Sequence, residues 1–254
     1  SMYRNDFDFF PRALALMQIH FFSESLTECS SMDVILPAEH WDRDAYPVLW
    51  LIPPAGLDHT AWQRKTAVEE LADELGIIVA MPDMKLSFGT DMVHGFGYFT
   101  MLTRELPELV KEYFPADLTK QYIAGAKEGA YAAFRAALKC PGNYKMAAGF
   151  SCGSLTDEIL TGSKKEQAAN AFGTGDMELL KDTDYSLRRL LDEMGERIPE
   201  VYFAYGDQDN YLKSSEILAE TLLHGERNKV ERLTGCLSWQ TWFQLLQKEL
   251  KKRI

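Results

Sequence analysis

The chain reads as an α/β protein: a mostly parallel central sheet covered by helices on both faces. Two observations carry that reading. Val48-Leu49-Trp50-Leu51-Ile52 and Ile77 to Met81 are uninterrupted apolar runs, as strands buried on both faces require. Between and after such runs lie helical stretches, and strands alternating with helices imply a parallel sheet. With 254 residues and 46% apolar content, the sequence fits one large domain spanning 1–254.

Taken in order, Leu16 to Phe22 and Ser31 to Leu36 read as an early strand pair ending at Pro37. Ala61 to Leu75 is amphipathic and closed by Gly76, a helix with a glycine stop. Phe99 to Phe114 reads as helix, Tyr122 to Ala124 as strand, Ala130 to Lys139 as a helix stopped by Pro141, and Lys145 to Ser151 as strand. Residues 154–197 interrupt the alternation with charged, helical sequence and are expected to form a cap-like insertion over the strand ends. Val201 to Tyr205 resumes the sheet, and Ser214 to His224 and Trp239 to Lys251 supply the last helices.

A formal net charge of -11 with dispersed basic residues argues against nucleic-acid or anionic-membrane partners. Four cysteines without a C-x-x-C pair suggest neither zinc nor redox chemistry and read as reduced thiols of a cytoplasmic protein. No apolar stretch reaches spanning length, the N-terminus lacks signal-peptide features, and Ser1-Met2 has the look of an added start.

The chemistry-bearing motif is Gly125-Ala126-Lys127-Glu128-Gly129, placed directly after a strand and before an alanine-rich helix. It has the frame of the Gly-x-Ser-x-Gly nucleophile elbow, with lysine where the serine belongs. A second formal match, Gly149-Phe150-Ser151-Cys152-Gly153, offers Ser151 as a nucleophile. A working elbow needs a helix beginning at the serine, whereas Gly153 to Asp157 reads as a turn leading to a helix cap, so Ser151 is set behind the Lys127 elbow.

Leu51-Ile52-Pro53-Pro54-Ala55-Gly56-Leu57-Asp58-His59-Thr60-Ala61-Trp62, then Met81-Pro82-Asp83, Ser87 to Met92 and Tyr98-Phe99-Thr100 follow one another in a distinctive order and spacing. In these segments the chain resembles the esterase D family of α/β-hydrolases, which includes S-formylglutathione hydrolases and bacterial tributyrin and acetyl esterases; the likeness runs from about Met17 to about Lys251. The resemblance implies acyl transfer by a Ser-His-Asp triad. It places Lys127 at the serine position, Asp209 at the acid and Leu237, within Gly235-Cys236-Leu237-Ser238-Trp239, at the histidine. The family's His-Gly pair beside the oxyanion hole falls on Pro53-Pro54, which have no N–H to donate; Ala55 follows them, and the Glu128 backbone N–H remains as a donor.

From these substitutions the sequence leads to the expectation of a catalytically inactive homologue, with a small acyl or ester-like ligand or a protein partner. The alternative is an active carboxylesterase or acetylesterase on short-chain acyl esters, using Ser151 or Lys127 as an unconventional nucleophile. Lys127 itself admits three roles: a carbonyl-attacking amine, an ion pair reaching first for Asp209 and then Glu128, or a solvated side chain. His224, the only histidine after Asp209, reads as a helix C-terminal residue, and His59 as a residue that positions its loop. His20, His40 and His94 lack ligand spacing; no cofactor or metal is expected, and the family's habit of association suggests a homo-oligomer.

Overall fold

A computed structural model describes residues 15–37, 43–197 and 199–254. Ser1, Met2 and His40 lie outside them. The described strands are β1 (Ala15–Ser23), β2 (Glu28–Leu36), β3 (Tyr46–Ile52), β4 (Ile78–Pro82), β5 (Ala116–Ala126), β6 (Met146–Phe150), β7 (Glu200–Gly206) and β8 (Asn228–Leu233). They form one sheet in the order β1-β2-β4-β3-β5-β6-β7-β8. β1 and β2 form an antiparallel hairpin, β2 runs antiparallel to β4, and all other neighbours are parallel. This is the mostly parallel, helix-covered sheet of an α/β-hydrolase fold.

β3 shows why its sequence is apolar throughout. Val48, Trp50 and Ile52 point into one core, Leu49 and Leu51 into the other, and all five are buried. Helices α1 (Ala61–Lys65) and α2 (Val68–Leu75) cover the second core, together with α11 (Trp239–Lys251). From α11 alone, Trp242, Phe243, Leu246 and Leu250 enter that core, each worth about 1.5–3 kcal/mol of transfer free energy. The first core is covered by α3 (Tyr98–Thr100), α4 (Leu106–Tyr113), α5 (Glu128–Lys139) and α10 (Leu212–Leu222). The segment between β6 and β7 carries α6 (Asp157–Leu160), α7 (Lys165–Phe172), α8 (Met177–Leu180) and α9 (Leu187–Met194), and α9 packs on α5 and α10.

Three details depart from the periodic reading. The helix expected over Ala61 to Leu75 is two helices, because the Thr66 hydroxyl donates back to the Trp62 carbonyl (2.5 Å) and Thr66 itself turns extended. The stretch from Tyr98 to Tyr113 widens into a π-helical turn, Met101–Glu105, just before Pro107. Proline brings no N–H and crowds the carbonyl four residues back, and the wider turn accommodates both. β8, an edge strand of alternating charged and apolar residues, escaped the sequence reading altogether. No described helix is long and apolar enough to cross a membrane, and all four cysteines are free.

Candidate active site

The elbow is built by close approach of backbones. β5 ends at Ala126, Lys127 makes the turn alone, and α5 starts at Glu128. A Cβ on Gly125 would lie 2.2 Å from the Gly129 carbonyl oxygen, and a Cβ on Gly129 would lie 2.6 Å from the oxygens of Ile52 and Pro53. Only glycine fits at either position, so β3, β5 and α5 meet at van der Waals distance. Lys127 carries the strain of the turn, with φ +53° and ψ -119°, a conformation costing a side-chain-bearing residue about 1–3 kcal/mol. Backbone bonds hold it there: its N–H donates to Phe150 O (2.9 Å), and its carbonyl accepts from Ala130 N and Gly153 N (both 3.1 Å).

The Lys127 side chain is partly exposed and makes no ion pair among the described residues. The expected pairing with Asp209 or Glu128 is therefore corrected. Asp209 is buried and spends its carboxylate on backbone donors, Gly206 N–H to Oδ2 (2.7 Å) and Leu237 N–H to Oδ1 (2.8 Å). Glu128 is 2% exposed, and its Oε1 faces Lys164 Nζ (3.2 Å) and the Tyr211 hydroxyl (3.1 Å). Donors already fixed by the backbone need no ordering of a flexible lysine stem, which is why they take the Asp209 carboxylate first. Asp209 and Leu237 are thus brought together through the Leu237 main chain, while the Leu237 side chain enters the second core.

Pro53 and Pro54 are buried at the end of β3, and Ala55 is partly exposed. With Glu128 and Gly129, Pro53 and Ala55 border a cleft of about 10 Å³, room for a single small atom or water. Glu128 is the first residue of α5, so its N–H has no acceptor within the helix and is available to a carbonyl oxygen in this cleft.

Ser151 lies one residue past β6, beside the elbow in register, since Ala126 pairs with Phe150. It too has positive φ, +50°. It is 3% exposed, and its Oγ accepts a hydrogen bond from Trp242 Nε1 (3.1 Å). No helix starts there; α6 begins at Asp157. The left-handed backbone at Ser151 is what sequence reasoning missed, because nothing in the residue types Phe-Ser-Cys signals it. The neighbouring Cys152 is fully buried, and burial pushes its thiol well up from the ordinary range, which disfavours the thiolate.

Away from the elbow, His59 lies between two carboxylates, Nε2 at 3.8 Å from Asp33 Oδ1 and Nδ1 at 3.8 Å from Asp83 Oδ2. Asp33 is fully buried with no hydrogen bond to either oxygen, and burial pushes its carboxyl up from the usual range despite the imidazole. His20 Nδ1 bonds the Ser31 hydroxyl (2.9 Å), and His224 follows the end of α10. Among the described residues no group of three or more His, Cys, Asp or Glu is placed to hold a metal.

Comparison with known proteins bears on both fold and activity. Residues 23–252 match the esterase family model described as "Putative esterase". An acetyl esterase of Caldicellulosiruptor saccharolyticus is 24% identical over 252 residues, covering 90% of this chain and 94% of the relative. An S-formylglutathione hydrolase of Bos taurus is 23% identical over 204 residues, covering 70% and 69%. In structure, the chain resembles the fluorophosphonate-binding serine hydrolase F of Staphylococcus aureus, solved with substrate bound, at TM-score 0.81 and 22% identity, covering 94% and 98%. That substrate-bound serine hydrolase overturns the expectation of an inactive homologue drawn from Lys127 and Leu237, and these relatives give the cytoplasmic expectation no support. The fold and the match over nearly the whole length carry one conclusion: the chain belongs to the esterase family.

Proposed function

We propose that the chain hydrolyses short-chain acyl esters, with the Ser151 hydroxyl as nucleophile and the Lys127 amine as its base. The observation that carries this reading is the pairing of two strained residues at the ends of adjacent parallel strands: Lys127 at φ +53° and Ser151 at φ +50°. Lys127 is joined by backbone hydrogen bonds to the residues on both sides of Ser151, Phe150 directly before it and Gly153 two places beyond. Strain kept at two neighbouring positions points to a use for it, and serine-lysine pairs are an established variant of the serine hydrolase constellation. That no carboxylate holds the Lys127 side chain also supports it.

In this mechanism Ser151 Oγ attacks the ester carbonyl while its proton passes to the Lys127 amine. The developing oxyanion faces the Glu128 N–H at the start of α5, and the Trp242 indole N–H, already on Oγ, orients the attacking oxygen. Collapse expels the alcohol, which takes the proton from Lys127, and water repeats the sequence to free the acid.

The test is turnover of 4-nitrophenyl acetate. Catalysis above buffer should fall about 10²-fold or more in both Ser151→Ala and Lys127→Met, the usual worth of a nucleophile or its base. Wild-type rates equal to buffer, or full activity in Ser151→Ala, would overturn the proposal. One further reading has its own observation, since Lys127 occupies the elbow itself. Its amine would attack the ester, expel the alcohol and remain as an amide; a single stoichiometric burst with the acyl group mapped to Lys127 marks that outcome.

A further inference from the structure

Glu128 is an unusual residue to find at the start of α5. It brings a carboxylate to the residue whose N–H would meet the developing oxyanion, and a second negative charge near that oxygen opposes the reaction. The side chain is almost wholly buried, one oxygen is engaged by Lys164 and Tyr211, and the other, Oε2, is buried with no hydrogen-bond partner among the described residues. A buried carboxylate oxygen without a donor is costly, and a ligand that brings a donor relieves that cost. Glu128 also borders the small cleft between Pro53, Ala55 and Gly129.

These observations converge on the acyl group. Resting on the ester hydrolase reading above, we infer that Glu128 selects acyl groups bearing a cationic amine next to the carbonyl, so that the substrates are esters of small amino acids. An amino-acyl group carries an α-amine and a carbonyl oxygen close together, and Glu128 offers a carboxylate and a helix-start N–H from one residue. The amine supplies the donor that Oε2 lacks. Its charge also offsets the Glu128 carboxylate, whose Oε1 already faces Lys164 Nζ at 3.2 Å. The cleft of about 10 Å³ has room for one small group, such as the ammonium, and none for a bulky substituent beside it. A plain acyl chain of the same size leaves Oε2 unpaired, and sites built around a buried polar group discriminate strongly against ligands that leave it so.

Binding separates this inference from the hydrolase reading. Glycinamide and propionamide have the same shape, differ in the ammonium and are not turned over as esters. By NMR titration of the intact chain, glycinamide should bind about tenfold or more tightly than propionamide, the size of one charge-assisted hydrogen bond. Glu128→Gln should remove that preference, with Tyr211→Phe, which keeps the carboxylate, retaining it. Equal affinity for the two amides, or binding of neither, overturns the inference even if 4-nitrophenyl acetate is hydrolysed. Absence of ester turnover with the glycinamide preference intact would overturn the hydrolase reading and leave the amine site standing.

Discussion

Replacing Gly129 with alanine presses a methyl group against the end of β3. The added Cβ would sit 2.6 Å from both the Ile52 and Pro53 carbonyl oxygens, and about 0.8 Å of separation is needed before each reaches the 3.4 Å of ordinary contact. Both neighbours are backbone, so no side-chain rotation relieves the clash, and overpacking of this kind costs about 1–3 kcal/mol. Alanine returns at most about 1 kcal/mol in helix propensity, less in the first turn. The net loss of about 1–2 kcal/mol corresponds to a melting temperature lower by about 2–8 °C for a chain of this size. Gly175→Ala is the control, since its Cβ meets nothing nearer than 3.9 Å and should be neutral or slightly stabilising. Thermal and urea unfolding followed by circular dichroism measure both. A Gly129→Ala variant melting within about 1 °C of wild type would refute the close approach on which the elbow's geometry rests.

Asp33→Asn should stabilise the protein at neutral pH. Burial raises the folded carboxyl above the ordinary aspartate range, so stability is lost as pH rises from that range through the folded value, and the variant's advantage should vanish below about pH 4. Urea denaturation at pH 3.5 and pH 7 checks the sign; an advantage confined to acid pH contradicts it. Lys127→Gly should relieve the φ +53° strain and raise stability by about 1 kcal/mol, while removing the base lowers ester turnover; a loss of stability would show that the lysine stem matters more than the strain. Ser151→Ala leaves the buried Trp242 N–H without its acceptor and should cost about 1–3 kcal/mol in unfolding experiments; an unchanged midpoint would contradict that bond.

The sheet was legible wherever a strand is buried on both faces, because Val48 to Ile52 and Val201 to Tyr205 have no polar alternative. β8 was not, since this edge strand carries Lys229, Glu231 and Arg232 at positions open or half-open to solvent and looks like a loop. The elbow was legible through Gly125 and Gly129, whose spacing reflects a steric demand the structure contains. The ion pair expected at Lys127 was not, because sequence shows which charges exist but not that backbone N–H groups reach Asp209 first. Positive φ at Ser151 is set by the packing of Trp242 and the β7 carbonyl of Ala204 around it, contacts far apart in the chain. Loss of activity was inferred from residue identities at single positions, which say little about a neighbouring hydroxyl brought in by an adjacent strand.

Covalent labelling with a fluorophosphonate, followed by peptide mapping, reads the nucleophile directly. The phosphonyl adduct should map to Ser151, disappear in Ser151→Ala and form more slowly in Lys127→Met with the fold intact. A wild-type chain that stays unlabelled, or an adduct on any other residue, contradicts the assignment of Ser151.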